Sequence, residues 1–325
     1  MIIVTGGAGF IGSALIAELN ARQITNILVV DQLGTNGNWK NLRNLSFADY
    51  VEKTDLLEMV IAGKLDSPVE AVFHLGACSD TTEPDASYLI KNNYEYTKLL
   101  AQWATDANVR FIYASSAATY GDGSAGFKDD EEDIETLCPL NMYGYSKHAF
   151  DLWARRTELL NNIVGLKYFN VFGPNEYHKG HMRSFIVKAF EQINAEGTVR
   201  LFKSHEDDYA DGEQVRDFVY IKDAVDMTLF FLDNPHLSGL YNVGTGEART
   251  WNDLVIAVFV AMGKEPNIEY IDMPDSIRNQ YQYFTQADMS KLRAAGYDKQ
   301  TMPLEDAIKD YVQDYLQEEG YLTGI

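Results

Sequence analysis

Tyr143 and Lys147 have the residue types and spacing for acid–base chemistry. They are four residues apart on a helix predicted over residues 140–160, so both side chains lie on one face. A phenol with a pKa of about 10 is a poor base at neutral pH, and a neighbouring ammonium group lowers that pKa. Ser116, at the end of a predicted strand, can hydrogen-bond the same substrate oxygen. The three residues predict a general acid–base group for a carbonyl/alcohol pair.

The spacing alone does not identify a site, because Tyr94 and Lys98 have it too. That pair lies within a predicted helix and has no strand-ending serine before it, so we interpret it as structural. For Tyr143 and Lys147 the alternative interpretation is a stacked pair on a helix surface.

A glycine-rich turn at the start of the chain predicts a dinucleotide site. Residues 1–5 are a β-branched run typical of a buried strand, and residues 6–12 contain the glycines. Residues 13–19 have the pattern of an amphipathic helix. Glycines leave no Cβ between the backbone and a pyrophosphate, and the helix N-terminus attracts phosphate. A tight turn without a ligand is the alternative.

The rest of the chain predicts an α/β fold with a doubly wound parallel sheet. Strand-like runs at residues 27–30, 71–75, 109–114 and 163–168 alternate with helical patterns, including one over 87–107. Asn92 and Asn93 lie inside that helix, either exposed or as a buried amide that holds a loop or a kink.

After residue 174 the alternation changes. Helices are predicted near 182–195, 251–262 and 304–316, with short strands at 199–202, 217–221 and 268–271. We expect a dinucleotide-binding Rossmann domain over residues 1–174. A returning segment near 217–250, with a strand at 240–243, would join its sheet. A smaller C-terminal α/β substrate-binding domain is expected over residues 175–325.

The composition argues against several classes of partner. The 27 basic and 48 acidic residues give a net charge of −21, which disfavours nucleic acid and anionic membranes. The sequence has no signal-peptide pattern and no apolar run of membrane-spanning length, so we expect a cytoplasmic protein. Cys78 and Cys138 lack metal-ligand spacing, and we expect reduced thiols and no metal. The acidic runs at 129–133 and 205–208 are expected to be solvated loops.

The residues leave the choice between NAD and NADP open. Asp31 ends the second strand, about twenty residues past the glycine turn, where an acid binds a ribose hydroxyl and favours NAD. Lys40, Arg43 and Lys53 follow it and carry the charge that a 2′-phosphate would need.

Four segments together resemble the extended short-chain dehydrogenase/reductase family, which contains nucleotide-sugar epimerases and dehydratases. They are Thr-Gly-Gly-Ala-Gly-Phe-Ile-Gly at 5–12, Ser-Ser-Ala-Ala-Thr-Tyr-Gly at 115–121, Tyr143-x-x-x-Lys147, and Arg-Asp-Phe-Val-Tyr-Ile-Lys-Asp at 216–223. Residues 74–83, 168–180 and 283–297 are similar to the branch of that family that acts at C6 of ADP-heptoses. The resemblance covers nearly the whole chain.

The resemblance implies an NADP-dependent cycle in which C6 of an ADP-heptose is oxidised to a ketone and reduced on the opposite face. It implies Tyr143 as the acid–base group on one side and Lys179 on the other, with Lys147 and Ser116 completing the catalytic set. It also implies a step in lipopolysaccharide precursor synthesis and a homo-oligomer, since family members form pentamers.

The resemblance further implies two sets of binding residues. The dinucleotide set is Gly6, Gly9, Phe10, Ile11, Gly12, Asp31, Gln32, Lys40, Lys53, Leu75, Gly76, Ala77, Cys78, Ser79, Asn92, Lys147, Val171 and Lys179. The substrate set is Asn170, His181, Lys188, Phe202, Lys203, Ser204, Arg216 and Tyr281. Arg216 has support from chemistry as well, because a guanidinium suits a diphosphate. His181 and Lys188 replace a serine and a histidine of the family pattern, and residues 205–214 are an acidic insertion.

Two other functions remain open at this stage. One is another nucleotide-sugar enzyme of the same fold, such as a 4-epimerase. A 4,6-dehydratase is disfavoured because Ala117 and Ala118 stand where such enzymes carry an Asp-Glu pair. The other is a non-catalytic protein that senses the dinucleotide, which Tyr143 and Lys147 argue against.

Overall fold

A parallel sheet of seven strands forms the centre of the computed structural model, which describes residues 1–65, 67–278 and 281–324. Its strands are paired in the order β10-β6-β5-β4-β1-β2-β3, and every pairing is parallel. They are β1 (Ile2–Thr5), β2 (Ile27–Asp31), β3 (Asp49–Glu52), β4 (Ala71–His74), β5 (Arg110–Ser116), β6 (Val164–Tyr168) and β10 (Gly239–Val243).

Two smaller sheets lie in the second half of the chain. One has the order β11-β9-β7 and the other pairs β12 with β8. Their strands are β7 (Asn170–Phe172), β8 (Val199–Phe202), β9 (Val215–Tyr220), β11 (Ala248–Thr250) and β12 (Ile268–Ile271).

Helices cover both faces of the central sheet, because its strands are apolar on both sides. Ile2 and Val4 belong to the core beneath α1 and α7, whereas Ile3 belongs to the core beneath α4 and α5. The helices of the described residues are α1 (Phe10–Ala21), α2 (Lys53–Ile61), α3 (Ala86–Leu89), α4 (Tyr96–Asp106), α5 (Met142–Arg156), α6 (Phe185–Glu196), α7 (Ile221–Asp233), α8 (Trp251–Ala261), α9 (Asp275–Arg278), α10 (Ser290–Ala294) and α11 (Leu304–Tyr311).

The predicted strands are confirmed, and the run at 240–243 does return to the main sheet, where β10 pairs with β6. The sequence analysis missed seven elements of the described residues: β3, α2, β7, α7, β11, α9 and α10. β3 lies at the sheet edge and is half exposed, so its apolar pattern is weak. β7 and β11 have only three residues each, too few to show a period.

The helix that was predicted over 87–107 contains a π-helical segment, Ile90–Glu95, between α3 and α4. Asn93 lies in it and is buried. Its Oδ1 accepts from the Cys78 amide at 2.9 Å, and its Nδ2 donates to the Cys78 carbonyl at 2.9 Å and to Ser146 Oγ at 3.0 Å. The buried-amide interpretation is therefore correct for Asn93, which joins the loop after β4 to α5.

The expectation of a wholly solvated acidic run at 129–133 is wrong. Asp129 is only 5% exposed and accepts from the Asn242 amide at 2.8 Å. Glu131 accepts from the Leu240 amide at 2.7 Å and pairs with Lys291 at 2.7 Å. β10 is an edge strand, and these carboxylates satisfy amides that no neighbouring strand reaches. The run at 205–208 is exposed, as expected.

A buried ion pair fixes α5 to the sheet. Asp151 and Lys167 have side chains 0% and 1% exposed and lie 3.5 Å apart. Asp151 also accepts from Tyr113 Oη at 2.7 Å and from Ser115 Oγ at 2.6 Å. Because Tyr143 and Lys147 precede Asp151 on α5, this carboxylate sets their position relative to β5.

Candidate active site

A cleft of about 830 Å³ lies at the carboxyl ends of the central strands. Such strand ends are where ligands bind in open parallel sheets. All four catalytic candidates line it: Tyr143, Lys147, Ser116 and Lys179. Every dinucleotide candidate except Lys40 lines it, and so do three substrate candidates, Asn170, His181 and Lys188. Phe202, Lys203, Ser204, Arg216 and Tyr281 are not among the residues that line it.

The glycine-rich turn approaches the loop after β4 so closely that side chains are excluded. Gly6 has φ of +67°, and a Cβ there would lie 2.6 Å from the Gly76 nitrogen. A Cβ on Gly12 would lie 2.1 Å from the Gly6 carbonyl oxygen. α1 begins at this turn, and no side chain caps its first N–H groups. The turn therefore fits a dinucleotide pyrophosphate, which would meet free amides and the positive end of the helix dipole.

Asp31 is already hydrogen-bonded by the backbone at the cleft wall. Its Oδ2 accepts from the Ala8 amide at 2.8 Å and its Oδ1 from the Gln32 amide at 2.7 Å. Burial raises the pKa of this carboxyl group, against the effect of those bonds. Lys53 lines the cleft and donates to Asn92 Oδ1 at 2.8 Å. Of the two lysines expected to meet a 2′-phosphate, only Lys53 faces the cleft.

α5 presents Tyr143 and Lys147 beside the end of β5. Asn141 caps the helix, with its Oδ1 accepting from the Gly144 amide at 2.8 Å. Ser116 hydrogen-bonds the phenol of Tyr143, which lowers its pKa, but burial has the larger effect and the pKa is raised. The pKa of Tyr143 is thus shifted by burial in the direction opposite to the one expected from the sequence.

Lys147 is itself perturbed by burial. Its Nζ donates to the Ala114 carbonyl at 2.7 Å. Burial lowers the pKa of Lys147 to about 8, while the negative charge of Asp151 opposes that shift. At neutral pH Lys147 thus remains mostly protonated, and a substantial fraction becomes neutral as the pH rises towards 8.

Lys179 reaches the cleft from a different wall. It lies in a 3₁₀ segment, Tyr177–Met182, with Nζ 5.3 Å from the centroid of the Phe10 ring. Burial lowers the pKa of Lys179, and the carboxylate of Glu176 opposes the shift. Glu176 is fully buried and accepts from Ser184 Oγ at 2.7 Å and from Tyr311 Oη at 3.1 Å. The segment that carries Lys179 is therefore held by α11 as well as by its own chain.

His181 and Asp80 meet at the mouth of the cleft. His181 Nε2 lies 3.5 Å from an Asp80 oxygen and 3.5 Å from Thr82 Oγ1. Lys188 is half-buried nearby, and burial lowers its pKa. The two departures from the family pattern thus both line the cleft.

Arg216 lies behind the cleft rather than on its surface. It is 7% exposed, and its guanidinium is 5.7 Å from the Trp251 ring centroid and 5.2 Å from that of Tyr281. Within the described parts of the chain no carboxylate forms an ion pair with it, and burial lowers its pKa. Trp251 lines the cleft, so Arg216 is a buried cation one ring away from the ligand space.

One of the remaining substrate candidates contacts the acidic insertion. The Ser204 amide donates to Asp211 at 2.8 Å, whereas Lys203 pairs with Asp272 at 3.1 Å, outside the insertion. Phe202 ends β8 and is half-buried. None of the three lines the cleft.

The supporting role of one residue, His74, was not found from the sequence. His74 is fully buried, with Nδ1 2.7 Å from Thr5 Oγ1 and Nε2 2.9 Å from Thr97 Oγ1, and burial lowers its pKa to about 3. A neutral histidine therefore links β1 to α4. In the sequence, only the position of His74 in a predicted strand could have indicated this role.

Among the residues that the structure describes, no group of three or more His, Cys, Asp and Glu side chains could hold a metal ion. No helix there is both long and apolar enough to cross a bilayer.

Comparison with known proteins gives consistent relatives. The model of the NAD dependent epimerase/dehydratase family matches residues 2–244. An ADP-L-glycero-D-manno-heptose-6-epimerase of Nitratidesulfovibrio vulgaris is 56% identical over 316 residues, covering 97% of this chain and 98% of the relative.

Solved structures of epimerases have a similar fold. The crystal structure of Helicobacter pylori ADP-L-glycero-D-manno-heptose-6-epimerase has a TM-score of 0.81 at 30% identity, covering 96% of this chain and 95% of that one. Thermus thermophilus UDP-glucose 4-epimerase, in complex with NAD, has a TM-score of 0.74 at 26% identity, covering 97% and 98%.

The lowered pKa of Lys147 predicts a pH-dependent stability. An unfolded lysine has a pKa of 10.5 and the folded one about 8, so the unfolded state binds more protons between these values and stability rises with pH there. The difference in free energy of unfolding between wild type and Lys147→Met should shift by about 3 kcal/mol in favour of wild type from pH 8 to 10.5. Urea denaturation at several pH values measures it. A difference that stays constant with pH would contradict the prediction, and Lys98→Met is the control.

Proposed function

The chain belongs to the NAD dependent epimerase/dehydratase family, and from that premise we propose that it is an ADP-L-glycero-D-manno-heptose 6-epimerase. It would interconvert the D-glycero and L-glycero forms of the ADP-heptose at C6. The observation that carries the proposal is one cleft in which Tyr143 and Lys179 come from different walls. In this function the enzyme would act in the cytoplasm on a precursor of the lipopolysaccharide core.

Inversion of a carbinol centre explains why two acid–base groups are needed. A bound nicotinamide dinucleotide would supply the acceptor of the C6 hydride and its donor on return. The carbinol oxygen lies in a different direction in each epimer, so one fixed phenol serves one orientation best. Tyr143, oriented by Ser116, would exchange a proton with the oxygen of one epimer. Lys179 would do so for the other.

The electrostatics support this assignment. Burial raises the pKa of Tyr143, so its phenol holds a proton that it can donate to a developing alkoxide. Burial lowers the pKa of Lys179, which is the direction that a lysine acting as a proton acceptor needs. Lys147, bound to the Ala114 carbonyl, would place positive charge beside the tyrosine when that residue is ionised.

We infer that the dinucleotide is NADP. The carboxylate of Asp31 accepts from two backbone amides, which offset part of the negative charge that a 2′-phosphate would meet there. Lys53 lines the same region of the cleft and carries the charge that a 2′-phosphate needs.

Titration of both reduced dinucleotides by fluorescence tests the cofactor. NADPH should bind about tenfold more tightly than NADH, the scale of one added phosphate contact. Lys53→Met should remove most of that preference and leave NADH affinity unchanged. Lys40→Met is the matched control, because Lys40 does not line the cleft. Tenfold tighter binding of NADH than of NADPH would show that Asp31 selects NAD.

Tyr143→Phe removes one hydroxyl group from the site. The fold and dinucleotide affinity should be retained, while turnover of either ADP-heptose epimer should fall by about 10²-fold or more, the usual scale for a positioned acid–base group. Tyr94→Phe is the control, since Tyr94 has the same spacing to Lys98. This variant should keep near wild-type activity. Turnover of Tyr143→Phe close to that of wild type would transfer the acid–base function to another residue.

Lys179→Met should separate the two half-reactions. Oxidation of one C6 epimer should slow by about 10²-fold, and oxidation of the other should change much less, with the opposite bias in Tyr143→Phe. Single-turnover absorbance of the reduced dinucleotide, started with each epimer, measures both. Equal slowing of the two epimers, or none, would show that Lys179 binds phosphate or cofactor without acting as a base.

A further inference from the structure

We propose that Asn41 is a positioning residue that couples the dinucleotide-binding turn to the segment carrying Lys179. The proposal depends on the proposed function only for the use made of Lys179. Asn41 lies in a 3₁₀ segment after β2, Asn38–Leu42, and its side chain reaches towards both elements.

The amide group of Asn41 bridges two stretches of backbone. It is 2% exposed, and its Nδ2 donates to the Ala8 carbonyl at 2.9 Å and to the Asn175 carbonyl at 3.0 Å. His178 Nδ1 is the next polar atom, at 3.3 Å. An amide NH₂ has two protons, and the two shorter bonds use both. One side chain therefore joins the glycine-rich turn to the residues just before Lys179.

Asn175 provides a second link in the same place. It is fully buried, its backbone has φ of +76°, and its Nδ2 donates to Ser13 Oγ at 3.0 Å. Ser13 lies in the first turn of α1 and donates to the Phe10 carbonyl at 3.1 Å. Asn175 Oδ1 accepts from the Leu322 amide at 3.0 Å, so the end of the chain is attached to the same point.

These links hold Lys179 beside the start of α1. Its Nζ lies 5.3 Å from the Phe10 ring centroid, and Phe10 is the first residue of α1. A cation at this distance from an aromatic ring is attracted by the ring face. The carboxylate of Glu176 also favours the charged form of the amine. A pyrophosphate bound at the N-terminus of α1 would add to that attraction, and the hydrogen bonds of Asn41 and Asn175 keep the amine in place for it.

The geometry makes the coupling reciprocal. If the Asn41 bridge favours dinucleotide binding by placing Lys179, then binding must fix Lys179 through the same bridge. Loss of the bridge should weaken both effects together. A residue that only stabilises the fold would change neither one specifically.

The test combines two measurements that need no sugar nucleotide. Affinity for NADPH and for NADH is titrated by fluorescence, and Lys179 is labelled with acetic anhydride at several pH values and quantified by mass spectrometry. In wild type each dinucleotide should protect Lys179. Asn41→Ala should weaken dinucleotide affinity about tenfold, the scale of one lost buried hydrogen bond, and should raise Lys179 labelling in the bound form by a similar factor.

Two further variants make the test decisive. Asn41→Leu keeps a side chain of similar volume and removes both donated hydrogen bonds, so it should show the same two effects if Asn41→Ala does not fold. Asn44→Ala, at an exposed asparagine near the same segment, should show neither. Unchanged affinity, or unchanged protection of Lys179, in folded Asn41→Ala or Asn41→Leu would overturn the proposal. Full turnover in Lys179→Met would overturn the proposed base and leave this coupling intact.

Discussion

The carboxylate of Asp151 is the interaction on which the site geometry depends most. It accepts hydrogen bonds from the hydroxyl groups of Tyr113 and Ser115 on β5 and forms an ion pair with Lys167 on β6. Removing one partner of such a buried pair typically costs about 3–5 kcal/mol, because the other charge is left without compensation. Asp151 lies one helical turn after Lys147 and two after Tyr143 on α5, and Ser115 is adjacent to Ser116. The same bonds that fix the helix therefore fix all three candidates on that wall.

A second wall of the cleft has a different kind of support. There the segment from Asn175 to Lys179 follows the short strand β7 and has little regular structure, so side-chain bonds replace a backbone ladder. Glu176 and Asn175 are both fully buried, and they attach it to α11, α1 and the end of the chain. Side-chain hydrogen bonds of this kind are individually modest, about 1 kcal/mol each, but together they define one conformation.

Local patterns predicted much of the fold, and long-range pairs are what they could not predict. The strand Ile268–Ile271 was predicted with the same first and last residues that the structure has, because turn signals on both sides leave little choice for its ends. Most of the predicted residues that line the cleft came from the family resemblance, and their position agrees with the rule that parallel strands bring their carboxyl ends together. In contrast, Asp129 resembles its solvated neighbours in sequence and is buried only because β10 is an edge strand. The hydrogen bond from Asn41 to Asn175 joins residues more than a hundred positions apart, and the sequence around each asparagine has no pattern that predicts it.

Binding an anion and accepting a proton place opposite demands on a cation, and the structure separates the two. The net charge of −21 repels a sugar diphosphate at long range, so local cations must bind it. A lysine that is neutral enough to act as a base is a weak anion ligand, and burial lowers the pKa of both Lys147 and Lys179. A guanidinium keeps its charge in the same environment, because its intrinsic pKa is far above neutrality. In the proposed function Arg216, buried between Trp251 and Tyr281 with no carboxylate partner in the described residues, would supply positive charge one ring away from the diphosphate. Lys179 would then remain available for proton transfer and Lys147 for stabilising the charge on Tyr143, so the groups that do the chemistry would not also have to bind the diphosphate.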